Sequence, residues 1–317
     1  MKAITRRGGE SLVDAVAKPK ADRQLPVGDE IFLDHVGHFV RDAQAASRAL
    51  ARAGFAPTPV SIQFNPDGTP VGMGNVTAMF ERGYVEVLFQ TADTPLAREF
   101  AAALAGHAGL HLAAFSVADA ERTHRRLGEL GFAMRPLVQF QRPVATESGP
   151  GFAAFTVARL ERGAMAEGRI QFLTHRTENT VWQQRWLSHR NGALGLIDLA
   201  VACADVAEAA GRFARFFGRA AIATQFGQAI VLDRGQVQLF GSETFAAMFP
   251  EIAVPRLPFL GAYAVRVRSL PAVEALLRQE RLRVRRLGAA LVVPFPDELG
   301  IGAWLFVENA ADLPWRR

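Results

Sequence analysis

Three residues on separate apolar segments carry the side chains best suited to chemistry. They are His35 in Leu33-Asp34-His35-Val36-Gly37-His38-Phe39, Glu86 in Tyr84-Val85-Glu86-Val87-Leu88, and His111 in Leu110-His111-Leu112-Ala113. Imidazole and carboxylate donors suit Fe(II), Mn(II), Zn(II) or Ni(II), and two histidines with one carboxylate leave coordination positions open for a bidentate substrate. An ion held that way could act as a Lewis acid on an enediolate or catecholate. Glu86, the candidate catalytic residue, stands among apolar neighbours, where a carboxylate is costly unless a metal, an arginine or a hydrogen-bond network meets it. Each histidine reads alternatively as a hydrogen-bonded core residue. Asn75 follows Gly72-Met73-Gly74 and is either a substrate donor or a turn residue. Those glycines lack the third glycine and the following helix of a dinucleotide motif. His175 heads a stretch with Trp182, Trp186, His189 and Asn191. It is a candidate substrate contact if that stretch walls a pocket, and otherwise part of a connector.

These residues need strands to hold them, and the strands repeat. The segment around His35 returns in degraded form near residues 110, 197 and 262, each time running into an amphipathic helix. Asp42 to Gly54 and Asp119 to Gly131 have identical spacing, and a phenylalanine follows each glycine. The aspartates read as helix N-caps and the glycines as helix stops. The first unit is expected to run strand 31–40, helix 42–53, then strands near 57–64, 75–81 and 84–90. The second has strand 110–117, helix 119–130, and strands near 134–141, 152–160 and 168–174. A loop at 142–151 either folds over the pocket or forms a long hairpin. Two further units follow from residues 195 and 261. The expected fold is α+β: four β-α-β-β-β modules pairing their sheets into two cup-like half-barrels. The expected divisions are a basic tail at 1–28, an N-terminal domain at 29–175, a linker at 176–194 and a degenerate C-terminal domain at 195–317.

The module order, the run Asp34-His35-Val36-Gly37-His38-Phe39-Val40-Arg41-Asp42, and Gly72-Met73-Gly74-Asn75 leading to Gly83-Tyr84-Val85-Glu86 together resemble the vicinal oxygen chelate superfamily. That superfamily includes glyoxalase I, extradiol dioxygenases and bleomycin-resistance proteins, and the chain looks most like its glyoxalase-like domain members. The resemblance implies a divalent metal held by the first and last strands of each paired unit. Carried over, it assigns His35, Glu86 and Gln171 as ligands. The fourth place falls on Leu112, seven residues before Asp119; His111 lies one residue out of phase and faces inward only if a bulge shifts the strand. In the second half the matching positions hold Asp198 and Gln238, then Ala262 or Tyr263 and Trp304, so that cup is expected to be structural. The resemblance implies an isomerase, a lyase or a ring-cleaving dioxygenase acting on a small vicinally oxygenated substrate. A metal-free small-molecule-binding or sequestering protein of the same fold is the alternative.

Composition narrows the field. At 317 residues and 50% hydrophobic content the chain can bury a large core. The pI of 10.1 does not imply a nucleic-acid partner: all three lysines lie in the first 20 residues, and residues 29–317 carry 30 basic against 28 acidic groups. Their cations are all arginines, whose high pKa lifts the pI without building a field. No apolar run is long enough to span a bilayer, and no secretion signal is apparent, so a cytoplasmic monomer or homodimer with no membrane partner is expected. Cys203, alone in the chain, reads as a buried thiol.

Overall fold

A computed structural model describes residues 23–65 and 67–316; most of the expected N-terminal tail lies outside these. The first module comprises β1 (Ile31–Phe39), α1 (Ala43–Arg52), β2 (Ser61–Phe64), β3 (Pro70–Met79) and β4 (Tyr84–Gln90). After α2 (Pro95–Gly106) the second follows, with β5 (Gly109–Val117), α3 (Ala120–Glu129), β6 (Val138–Thr146), β7 (Gly149–Arg159) and β8 (Arg169–His175). The short helix α4 (Glu178–Val181) lies in the connector. The third module has β9 (Ala193–Cys203), α5 (Val206–Phe217), β10 (Ala221–Thr224), β11 (Gly227–Val231) and β12 (Gln236–Gly241), followed by α6 (Ser242–Met248). The fourth has β13 (Phe259–Val267), α7 (Leu270–Gln279), β14 (Arg285–Leu287), β15 (Ala290–Pro294) and β16 (Ala303–Val307). The four-module α+β expectation therefore holds. Helices α2 and α6 were not foreseen, and β6 and β7 extend across residues 142–151, leaving only Glu147 and Ser148 as a turn.

Each sheet joins two modules. The first has the order β2-β3-β4-β1-β5-β8-β7-β6, the second β10-β11-β12-β9-β13-β16-β15-β14. The central pairs β1–β5 and β9–β13 are antiparallel. In the first sheet the edge strands β2 and β6 approach each other, so it curls into a nearly closed barrel. The outer faces of both sheets close on one core, where Val36, Val85 and Phe172 from one sheet join Val201, Val265 and Phe306 from the other, with Leu50, Leu127, Phe213 and Leu277 of the helices. The inner faces form separate clusters. The two cups are therefore separate interiors, one in each sheet.

Helix caps repeat with the modules. Asp42, Asp119, Asp205 and Ser269 each accept hydrogen bonds from backbone N–H groups in the first turn. Gly54, Gly131 and Gly218 follow three of these helices at φ +86°, +80° and +64°, while the fourth carries Arg281 at φ +57°. A left-handed backbone costs an L-residue about 1–2 kcal/mol. Arg281→Gly is therefore expected to raise unfolding free energy by about 0.5–1 kcal/mol after the added chain entropy of glycine. Chemical denaturation measures it directly, and an unchanged or lower value would refute the strain assignment.

Candidate functional site

Alternation along the strands decides which side chains enter the first cup. From the first module come His35, Asn75, Tyr84 and Glu86; from the second come Leu112, Phe155, Arg159, Arg169 and Gln171. The free space among them is about 60 Å³, room for a few waters or one small polar head.

Adjacent strand residues normally face opposite ways, yet Asp34 reaches the ring of His35. A bulge explains this. The β1–β5 register skips from Leu33 to His35, leaving Asp34 as the extra residue, and a bulge re-aims side chains. The fully buried Asp34 carboxylate contacts His35 Nδ1 at 2.8 Å and His175 Nε2 at 2.9 Å. Burial alone would raise the Asp34 pKa, but the charge and hydrogen bond of His175, and then those of His35, outweigh it and hold the carboxyl well below its ordinary range. A carboxylate only accepts, so both imidazoles donate to it. His35 is thereby fixed with Nε2 toward the cup, 3.6 Å from Glu86 Oε2. Tyr84 stacks on the imidazole, with centroids 4.3 Å apart. Burial, then the charges of Asp34 and Glu86, push the Tyr84 phenol far above its usual pKa and keep it neutral. Asn75 Nδ2 donates to Glu86 Oε1 at 2.6 Å, leaving Oε2 facing His35.

His111 does not join this group. A second bulge lies on β5, where the register passes from Leu112 to Leu110 and leaves His111 outside the ladder. Its Nε2 donates to the carbonyl of His107 at 2.9 Å, and its ring packs between Phe39 and His107. The phase shift takes His111 into a neighbouring cleft, while Leu112 keeps its place in the cup. His175 is also not a cup residue: it stands behind Asp34 against Phe155 and Trp182. His189 accepts from the Ala56 amide and donates to the Met79 carbonyl, while Asn191 ties Ala53 to Ala193. These contacts make the stretch after β8 a connector.

Sequence reading missed Asp34 and the arginines of the cup. Arg169 lies two residues before Gln171, so the strand period alone places both on one face, and Arg159 is the ladder partner of Gln171. Burial lowers the Arg159 pKa to about 9, with Arg169 and Arg135 adding to the effect; burial lowers Arg169 too. The Gln171 Oε1 atom is buried without a hydrogen-bond partner.

Among the described residues no three His, Cys, Asp or Glu side chains converge as metal ligands. A smaller donor set fits one ion. An ion about 2.0–2.2 Å from each donor spans the 3.6 Å between His35 Nε2 and Glu86 Oε2. The Gln171 Oε1 atom, on the same cup and without a partner, is available as a neutral third donor. The carboxylate behind His35 is the outer partner that metal-bound histidines commonly carry. Leu112 makes the fourth side apolar.

The second cup is filled. Phe240, Phe245, Leu305 and Trp315 pack its inner face. Asp198, at the place of His35, accepts from Trp315 Nε1 at 2.7 Å and Arg316 Nε at 3.0 Å. Burial raises its pKa to about 6 against both contacts.

A family model described as a glyoxalase-like domain matches residues 33–217, more than half of the chain. No curated protein matches in sequence. Among solved structures, a hypothetical protein from Staphylococcus aureus superposes with TM-score 0.61 at 9% identity, covering 87% of this chain and 98% of its own. A mutant of 4-hydroxymandelate synthase from Streptomyces coelicolor gives 0.51 at 13% identity, with 87% and 92% covered. A xylose isomerase-like TIM barrel/4-hydroxyphenylpyruvate dioxygenase fusion protein gives 0.52 at 10% identity, with 87% of this chain and 48% of that one covered. At these identities the structural likenesses establish the fold.

Proposed function

The chain belongs to the glyoxalase-like domain family, within the vicinal oxygen chelate fold, and from that premise we propose that its N-terminal cup is a metal-dependent active site for a small substrate with two adjacent oxygens. The observation that carries this reading is His35, anchored through Nδ1 by a buried carboxylate and turned by Nε2 toward Glu86. His35, Glu86 and Gln171 would hold a divalent ion, which supplies Lewis-acid stabilisation of an enediolate- or catecholate-like oxygen pair. Isomerase and lyase chemistry would draw on that capacity alone, whereas ring cleavage would also need O2 as co-substrate and a redox-active ion such as Fe(II). The chain's own groups do the rest. Asn75 keeps one Glu86 oxygen engaged and so presents the other. Glu86 Oε2 is the cup's carboxylate acceptor for a substrate proton. The stacked Tyr84 fixes the imidazole plane. Leu112 and Phe155 present apolar surface to the substrate and exclude water. Both sheet pairings lie within one chain, so a single copy completes the cup.

Metal analysis of protein never exposed to chelator tests the reading. Stoichiometric divalent metal is expected, with loss in His35→Ala and in Glu86→Gln. The apolar place held by Leu112 supports a second reading, a metal-free binding protein of the same fold. That reading wins if the native protein holds no metal and ligand binding ignores chelators. The same position gives a gain-of-function check. Leu112→His adds an imidazole on the fourth side and is expected to tighten metal binding at least about tenfold, the equivalent of 1.4 kcal/mol. Unchanged affinity would place the ion elsewhere.

A further inference from the structure

Beside the cup lies a second cavity of about 260 Å³, floored by His111 and walled by α2 and the start of β8. Arg159 and Arg169 stand in the wall between the two spaces and line both. Arg162 and Arg256 add two more guanidinium groups to the cleft. Its carboxylates do not balance this charge. Glu99 is taken by Arg135 through two hydrogen bonds of 3.1 and 3.0 Å, and Glu161 by the same arginine at 3.2 Å. The Arg159 Nε atom is buried without a partner, and the Arg169 guanidinium rests over the Phe39 ring at 5.5 Å from its centroid. Arg159 and Arg169 are half-buried and Arg162 and Arg256 exposed, so with Arg135 the cleft carries five guanidinium groups against the two carboxylates of Glu99 and Glu161, an excess that a bound anion would offset. Arginine also matches the geometry of phosphate and carboxylate better than any other cation.

We propose that this cleft binds the anionic end of the substrate, a phosphate- or carboxylate-class group, while the oxygenated head enters the cup. The inference rests on the proposed function for the head group alone; the anion site stands on the cleft's own residues. The two volumes fit such a division, with about 60 Å³ for the head and about 260 Å³ for the tail. Two arginines touching both spaces place the anion next to the reacting end, where it fixes the substrate's direction of entry. Leu96 of α2 also lines both spaces, so the helix forms part of the passage.

The test uses the full-length protein, with inorganic phosphate in one titration and succinate in another at low ionic strength, read by calorimetry and by thermal unfolding. Saturable binding of at least one anion, with a raised Tm, is expected. The anion that responds identifies the tail: phosphate assigns a phosphoester, succinate a carboxylate. The exposed Arg256→Met, which lies outside the cup and the core, is expected to weaken binding at least about tenfold while metal content stays unchanged. Arg159→Met is expected to weaken it further. The proposal is overturned if neither anion binds, or if Arg256→Met and Arg159→Met both bind as tightly as the native chain. Anion binding in a protein that holds no metal would overturn the active-site reading and leave this one standing.

Discussion

Asp34→Ala is expected to lower the unfolding free energy by about 3–5 kcal/mol, the cost of removing one member of a buried ionic cluster. Asp34 is fully buried on a bulge and holds two imidazoles, one on each carboxylate oxygen. Alanine would leave His35 Nδ1 and His175 Nε2 buried without an acceptor, and it would remove the anion that outweighs their desolvation. Asp34→Asn separates folding from function. The amide fills the same volume and keeps one acceptor, so the chain should fold. It cannot accept from both rings, and His35 loses its fixed tautomer. Altering such an outer-shell partner typically costs 10–100-fold in metal affinity. Denaturant melts of both variants and metal titration of Asp34→Asn provide the check. A stable Asp34→Ala, or native metal affinity in Asp34→Asn, would defeat the account.

The second large effect concerns acid. His38 is fully buried between the two halves, with Nδ1 3.0 Å from the Leu299 carbonyl and Nε2 3.1 Å from the Tyr263 hydroxyl. Trp304 Nε1 donates to that same hydroxyl at 2.5 Å, and the Tyr263 O–H can donate to the unprotonated Nε2 of a neutral His38. Burial lowers the His38 pKa from 6.5 to about 4, and nearby His111 adds to this against the Leu299 hydrogen bond. The unfolded chain therefore binds this proton first. Stability from His38 is full above pH 6.5 and is lost as pH falls toward 4, an amount of about 3 kcal/mol at 1.36 kcal/mol per pKa unit. Asp198 acts in the opposite sense. Its pKa is raised to about 6, so it gains stability as pH falls through the same window and flattens the profile of the native chain. A comparison with His38→Gln removes that offset. The destabilisation caused by His38→Gln should be about 3 kcal/mol smaller at pH 4 than at pH 7. A pH-independent difference would show that His38 titrates normally.

The fold was legible because its signals are local and repeated. Aspartate caps, glycine stops and two-residue alternation recur module by module, and each reflects backbone chemistry that needs no partner. Helix α2 carried such a signal as well, in Thr94 accepting from Ala97 N and Pro95 in the first turn, but it falls outside the repeat. The cup was legible where side chains follow the strand period: His35, Asn75, Glu86 and Gln171 all face it. Bulges broke the reading elsewhere. One on β1 brings Asp34 beside His35, and one on β5 carries His111 away. A bulge adds a residue without altering composition, so alternation cannot locate it. His175 lies 141 positions from the carboxylate it holds, and only the closed sheet brings them together.

The shared core between the two sheets separates what folds the chain from what diversifies it. Residues such as Val36, Phe172, Val201 and Phe306 commit all four modules to one cooperative unit, so neither half is a free-standing part to be exchanged. The concave faces lie outside that commitment. One half can therefore line its interior with polar donors while Leu313 and Trp315 seal the other. Two interiors that do not share side chains can be altered separately, which makes the sealed cup the natural place to engineer a second ligand into this scaffold.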